Sequence, residues 1–434
     1  MSGPDTVLRP GSWAEYSRVR RILDKEVTSG ALLLLAAVAA MVLANTVPGF
    51  YFGLRDFHLG GELAGLDFNL TVGEWAQDGL LAIFFFLVGL ELKREFAAGD
   101  LHDPKTAVVP IVAAFGGVVG PALIYTAICW GDAQALRGWA VPVATDIAFA
   151  VGVLALVGSH LPAALRTFLL TLAVTDDLIG IAIIAIVYAS GLQLWFLLAS
   201  AVPILAFWYL TQFQRRFLRR HKAAGVAILA VLAVLAWGLF FHSGIHATIA
   251  GVVLGFVVPV GANGRGAGLA QAMEDRVRPV SGLLAAPVFA FFASGVALGG
   301  WEGVVASATS DIGLGVIVGM PVGKAIGIFG STWLVTRLKH ARLDPDVKWI
   351  DLLGLSVLGG MGFTVALLVC ELSFADNQAH LEDGKVAILA ASLLSAVIAG
   401  AMLRARSRHY KAVAEREAVD ENADGVPDVF QREG

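Results

Sequence analysis

Leu161-Pro-Ala-Ala-Leu-Arg166-Thr-Phe-Leu-Leu-Thr-Leu-Ala-Val-Thr-Asp176-Asp177-Leu-Ile-Gly-Ile-Ala-Ile-Ile-Ala-Ile-Val-Tyr188 holds two adjacent aspartates inside an otherwise apolar run. Apart from Arg166, near its start, the pair carries the only charges of the run. Asp176 lies ten residues past Arg166, about 15 Å along a helix axis. The stretch therefore predicts a membrane-spanning helix with both acids near mid-bilayer. A charged side chain at that depth costs about 2.5–3.5 kcal/mol on insertion scales. Two acids kept there read as a site that takes up and releases cations or protons.

The rest of the chain agrees with a membrane setting. Of its 434 residues 57% are hydrophobic and 15% charged, and the mean hydropathy is +0.75. A soluble protein of this length has no use for so much apolar surface, so the composition predicts a polytopic membrane protein. The net charge of −4 says little about partners, because the charges fall in loops and tails. Cys129 and Cys370 lie in or near apolar spans and read as small core residues, not as a disulfide framework or a metal site. The sequence has no metal-ligand cluster, Gly-rich phosphate loop or nucleic-acid motif, so no cofactor and no nucleic-acid partner are expected. Met1 to Val27 is polar and basic, without an early apolar core or a cleavage site. It does not read as a cleavable signal, and the first span serves for insertion.

A window of about 19 residues picks out twelve apolar segments, near 29–47, 78–96, 107–130, 139–158, 163–190, 193–212, 223–240, 244–261, 283–300, 310–336, 350–370 and 386–403. Water cannot satisfy backbone groups in lipid, so the spans must be helices and the fold class all-α. Of the 31 Lys and Arg residues, 27 fall on one side of this threading. Only Arg55, Arg137 and Lys385 fall on the other, and Lys324 lies within a span. The positive-inside rule then puts both termini in the cytoplasm. The expected organisation is a cytoplasmic tail over 1–27, a transmembrane domain over 28–405 and an acidic, disordered tail over 406–434. In that tail Asp420-Glu-Asn422-Ala-Asp424-Gly425-Val-Pro-Asp428 resembles part of a calcium loop. Gln431 stands where an EF-hand requires glutamate.

Lys324 lies thirteen residues from both Asp311 and Arg337, about 20 Å from either end of its span. That is too far for its side chain to reach water, so it must lose its proton or find an acid. It is either a static salt bridge between helices or a lysine whose pairing changes during transport. In Val141-Pro-Val-Ala-Thr145-Asp146-Ile147, Pro142 cannot donate a backbone hydrogen bond, and Thr145 and Asp146 can cap a helix N-terminus. This predicts an interrupted helix. Gly359-Gly-Met-Gly-Phe-Thr364 is a second candidate break. Segments three to five and ten to twelve would then be repeats, and interrupted helices in matching positions of two halves point to a transporter site. Half-helix ends bring partial charges to mid-membrane, which Asp146 could offset structurally or use in transport. Glu91 and Glu95 share a face of the second segment, below Asp78. They form either a cation-attracting funnel or an interfacial cluster with Lys93 and Arg94. His246 starts a helix on the extracytoplasmic side and reads as a pH sensor or as a cap or packing residue.

These motifs, taken together, resemble a known family. Phe84-Phe-Phe-Leu-Val-Gly-Leu-Glu-Leu-Lys-Arg-Glu95, Ala144-Thr-Asp-Ile-Ala-Phe-Ala150, Asp176-Asp177-Leu178, Ser243-Gly-Ile-His-Ala-Thr248, Gly323-Lys-Ala-Ile-Gly-Ile-Phe329 and Gly360-Met-Gly-Phe-Thr364 are similar to NhaA-type sodium/proton antiporters. They come in that family's order and cover about residues 20–410. The resemblance implies electrogenic exchange of Na⁺ or Li⁺ for protons, activated at alkaline pH, in a bacterial inner membrane. It implies that Asp177 is the principal Na⁺-binding residue and that its neighbour Asp176, a second candidate Na⁺ ligand, pairs with Lys324. Thr145 and Asp146 would lie at the break of the fourth helix, and Asp78 in the outward funnel. Glu91, Glu95 and Glu274 would take part in the pH response. It also implies a homodimer formed through an extracytoplasmic hairpin over 57–70, for which Gly60-Gly61 is the candidate turn.

One departure concerns the pH response. Where that family's best-known pattern runs Glu-His-x-x-His-Pro, this chain has Glu274-Asp-Arg-Val-Arg278-Pro279. Two titratable histidines are missing, which predicts a shifted or shallower pH profile. Among other classes, an intramembrane aspartyl protease needs two acids from different helices sharing a proton. Asp176 and Asp177 instead project about 100° apart on one helix. A channel fits less well, because a mid-membrane lysine and broken helices favour alternating access.

Overall fold

The computed structural model describes residues 13–417, apart from 64–65, 100, 102–103, 159, 190, 262–267, 339–342 and 345. The partial calcium loop at 420–428 lies outside the described residues, as does most of the expected acidic tail.

Among the described residues nineteen α-helices follow one another: α1 (Trp13–Thr46), α2 (Pro48–Arg55), α3 (Val72–Glu74), α4 (Leu81–Ala98), α5 (Pro104–Ile128), α6 (Ile147–Val157), α7 (Ala163–Val187), α8 (Leu194–Phe213), α9 (Arg215–Arg220), α10 (Lys222–Phe241), α11 (Thr248–Phe256), α12 (Leu269–Val280), α13 (Ala286–Ser294), α14 (Gly300–Thr309), α15 (Asp311–Val318), α16 (Lys324–Arg337), α17 (Trp349–Leu358), α18 (Thr364–Ser373) and α19 (Gln378–Glu417). Among the described residues nine helical stretches are long and apolar enough to cross a membrane. Their outward faces are apolar, with Ile186 and Val202 largely exposed, as lipid-facing positions should be.

Three of the twelve apolar segments are not single long helices. The fourth is a 3₁₀ stretch (Ala135–Val143) joined to α6 with a bend of 43°. The eighth carries only the nine-residue α11. The eleventh is split into α17 and α18 by 359–363. Each contains the residues that break helices: Pro142 in the fourth, Gly244 at a φ of 81° before α11, and three glycines in the eleventh. Asp132, outside the membrane, begins the first of these breaks. The N–H groups of Ala135 and Gln134 donate to it and hold its carboxyl below the usual range.

Three spans contain short π-helical turns: Trp75–Leu80 before α4, Ser281–Ala285 between α12 and α13, and Gly319–Gly323 between α15 and α16. Pro279 and Pro321 withhold N–H groups at two of them. Such turns recur at functional positions.

The chain forms two compact units. The first comprises the described parts of Met1–Ala31, Lys105–Asp176 and Gly300–Gly434. In it α5 and the stretch leading into α16 meet backbone to backbone. A Cβ at Gly116 or Gly120 would collide with the carbonyl oxygens of Gly327 or Gly323. Small residues permit this approach where lipid supplies no hydrophobic drive between helices. The unit also extends further than the sequence suggests. Helix α19 continues past residue 405 to Glu417, because Arg406 and Tyr410 close on the buried Asp351 of α17. Tyr410 Oη donates to Asp351 Oδ2 at 2.8 Å.

The second unit comprises Leu32–Pro104 and Asp177–Gly299. Gly89, Gly251 and Gly255 let α4 and α11 approach in the same way. Leu90, Phe207, Leu229, Leu254 and Val258 form a core beside them. Its hairpin has two short ladders, His58–Leu59 against Leu70–Thr71 and Glu62–Leu63 against Leu66–Asp67. The chain reverses between Leu63 and Leu66, so Gly60-Gly61 is not the turn. Gly60, at a φ of 126°, instead lies in one arm, where a side chain would collide with Phe68 O.

Candidate functional site

Helix α7 carries Asp176 and Asp177, and both are buried. In the first unit the glycine contacts between α5 and α16 bring Lys324 inward, and it has no exposed surface. Its Nζ lies 2.7 Å from Asp176 Oδ2. Asp176 Oδ1 is also buried and has no hydrogen-bond partner. A buried carboxylate is thus half satisfied by an ammonium, while its second oxygen remains available as a hard ligand.

The two broken segments meet at their breaks. Asp146 precedes α6, and its Oδ1 accepts the N–H of Phe149 at 3.1 Å, capping its own helix. Its Oδ2 accepts the N–H and the hydroxyl of Thr364 at 3.1 and 3.0 Å, capping α18. One carboxylate therefore faces the positive ends of two half-helices. The carbonyls freed at the second break are met in return. Thr145 donates to Gly359 O at 2.7 Å, and the Asp146 N–H donates to Met361 O at 2.7 Å. Phe149 and Phe363 stack beside the junction. Of the two roles open to Asp146, this geometry favours neutralisation of helix ends.

In the second unit Asp78 lies in the first π turn. Its carboxylate faces His246 Nδ1 at 3.0 Å, and Trp237 Nε1 donates to its carbonyl at 2.8 Å. His246 is therefore a neighbour of Asp78. Glu91 and Glu274 are joined by Arg278, whose Nη2 lies 2.6 and 2.7 Å from them. Arg94 pairs with Glu274 at 2.5 Å. Of the cluster expected from Glu91, Glu95, Lys93 and Arg94, Glu91 and Arg94 join a cross-helix network with Glu274 and Arg278. Lys93 turns to the ring of Phe256, and Glu95 is partly exposed.

Thr364 carries no role in the sequence analysis, and neither does Ser392, whose hydroxyl donates to Gly362 O at 2.9 Å. Thr364 could have been found as the N-cap-type residue after the glycines. Ser392 gives no such signal, being one of several small residues on an apolar helix.

The family model described as Na+/H+ antiporter 1 matches residues 20–403. The chain is similar to the Na(+)/H(+) antiporter NhaA of Arthrobacter sp. (strain FB24), at 53% identity over 99% of this chain and 94% of that protein. It is also similar to the Na(+)/H(+) antiporter NhaA of Renibacterium salmoninarum, at 50% identity over 97% and 96%. The Na(+)/H(+) antiporter NhaA 2 of Kineococcus radiotolerans is 51% identical over 99% and 93%.

Proposed function

The chain belongs to the Na+/H+ antiporter 1 family, and on that premise we propose that it exchanges cytoplasmic Na⁺ or Li⁺ for external protons across a bacterial inner membrane. It is a transporter, not an enzyme. The exchange is electrogenic, is activated as pH rises and serves sodium and pH homeostasis. The protein has twelve spans when each broken segment counts as one, both termini lie in the cytoplasm, and the 57–70 hairpin joins two copies.

The observation that carries this proposal is the buried Asp176–Lys324 pair with its unpartnered carboxylate oxygen, next to the buried Asp177. Na⁺ gives up hydration water only for hard oxygen ligands, and Asp177 and Asp176 Oδ1 supply them. An arriving cation competes with the Lys324 ammonium for Asp176 and with protons for both acids. Release of the cation outside and uptake of protons from that same side then return the site to its starting charge. Electrogenic exchange requires more than one proton per Na⁺, and the two aspartates with Lys324 offer enough titrating groups. Asp146 and Thr145 keep the two breaks in register, and Asp78, His246, Glu91, Glu95 and Glu274 take part in the pH response.

The test is a cation-induced pH change in vesicles containing the purified protein, with Na⁺, Li⁺ and K⁺ offered in turn. Na⁺- and Li⁺-dependent proton movement that vanishes in Asp177→Asn supports the proposal. No response to any of the three cations would reject it.

A further inference from the structure

The second break is held from a third direction. Ser392, buried in the middle of α19, donates its hydroxyl to Gly362 O at 2.9 Å. Gly362 stands at the tightest point of the junction, where a Cβ would collide with Ala144 O. Two residues further on, Thr364 holds Asp146 Oδ2. The three freed carbonyls of Gly359, Met361 and Gly362 are thus taken by Thr145, Asp146 and Ser392. The first two belong to the partner segment, whereas Ser392 comes from a helix outside both breaks. Without it the Gly362 carbonyl would be a buried acceptor with no donor, free to rotate its peptide plane and to pull Thr364 off Asp146. Ser395 lies three residues along the same helix and is equally buried, but its hydroxyl has no hydrogen-bond partner. The two serines share an environment and differ in this one contact.

We propose that Ser392 is a positioning residue for the cation site, fixing the peptide plane after Gly362 and through it the Thr364–Asp146 contact. This rests on the antiport proposal. The break packs on the span that carries Lys324, since a Cβ at Gly360 would collide with Met320 O, one turn before that lysine, so the effect belongs to cation binding more than to turnover.

The full-length protein in vesicles provides the test, with wild type, Ser392→Ala, Ser392→Thr and Ser395→Ala titrated with Na⁺ and Li⁺ at fixed pH. Loss of one hydrogen bond to a buried carbonyl predicts that Ser392→Ala raises the half-saturating cation concentration about 3–10-fold, with little change in maximal rate. Ser392→Thr keeps the hydroxyl and should recover most of the loss, and Ser395→Ala should match wild type. An unchanged half-saturation in Ser392→Ala overturns the proposal, as does an equal rise in Ser395→Ala or a fall in maximal rate alone. Amide hydrogen exchange over residues 359–366 gives a readout independent of transport. Exchange there should quicken in Ser392→Ala and not in Ser395→Ala, and identical exchange in both overturns the proposal. A wild-type protein without cation-driven exchange would sink the antiport proposal alone, leaving the amide measurement to judge Ser392.

Discussion

Lys324 Nζ lies 2.7 Å from Asp176 Oδ2, and neither side chain reaches solvent. Such a pair is costly to break from one side, because the remaining charge stays buried without compensation, at about 3–5 kcal/mol. Lys324→Ala should therefore lower the melting temperature of the purified protein clearly, and Lys324→Arg should lower it less. A melt of Lys324→Ala that overlays wild type would show that the pair stabilises nothing. Vesicle measurements on the same variants address the proton. If exchange stays electrogenic with a neutral residue at 324, the lysine is not an obligatory proton carrier.

The two aspartates should separate in stability although both are needed for exchange. Asp176→Asn removes the charge partner of Lys324, so it should lose both transport and thermal stability. Asp177→Asn leaves that pair intact and should lose transport while melting near wild type. Proton and Na⁺ competing for one site also predict that half-saturating Na⁺ falls as pH rises and levels off once the site is deprotonated. A half-saturation that stays flat from acidic to alkaline pH would remove competition from the mechanism.

Asp146 caps two half-helices with its two oxygens. A lost N-cap costs about 0.5–2 kcal/mol, so Asp146→Ala should cost roughly twice a single cap. Asp146→Asn keeps one acceptor oxygen and should lie between Ala and wild type. Thermal melts of the three proteins rank them. If Asp146→Asn melted like wild type yet had no exchange, Asp146 would act on the ion directly and not through the helix ends.

Much of this was legible before any coordinates. Asp176, Asp177 and Lys324 stood out because charge is expensive in lipid, and the same cost required Lys324 to lose its proton or find an acid; that the acid is Asp176 came from the family resemblance. Pro142 and the glycines at 359, 360 and 362 marked the two breaks because they withhold donors or side chains. The capping role of Asp146 followed from its place just before a helix start. Ser392 was illegible because a serine on an apolar helix ordinarily bonds within its own turn. Its bond to Gly362, thirty residues away in sequence, depends on packing that no local pattern encodes. The hairpin turn was misplaced for a related reason. Two adjacent glycines suit a tight turn, yet here Gly60 only lets one arm pass close to Phe68.

The last prediction concerns the cytoplasmic network. Arg278 joins Glu91 of one helix to Glu274 of another, and Arg94 also holds Glu274. Glu274 is buried and is held by both guanidiniums. Arginine keeps its charge throughout the physiological range, so this bridge does not open as pH rises. Among the described residues Asp275 accepts from Gln271 of its own helix at 3.2 Å, so of the two positions lacking histidine, 278 should matter. In Arg278→His the imidazole titrates with an ordinary pKa of about 6.5, raised somewhat by the two glutamates it faces. The bridge would be complete below that pKa and lost as pH rises through it, leaving two glutamates against Arg94 alone. Exchange measured from about pH 6 to pH 9 should therefore show a steeper or shifted profile in Arg278→His. Arg278→Lys and Asp275→His should keep the profile of wild type. A profile in Arg278→His that overlays wild type would show that this network does not set the pH response, leaving it to the competition at Asp176 and Asp177.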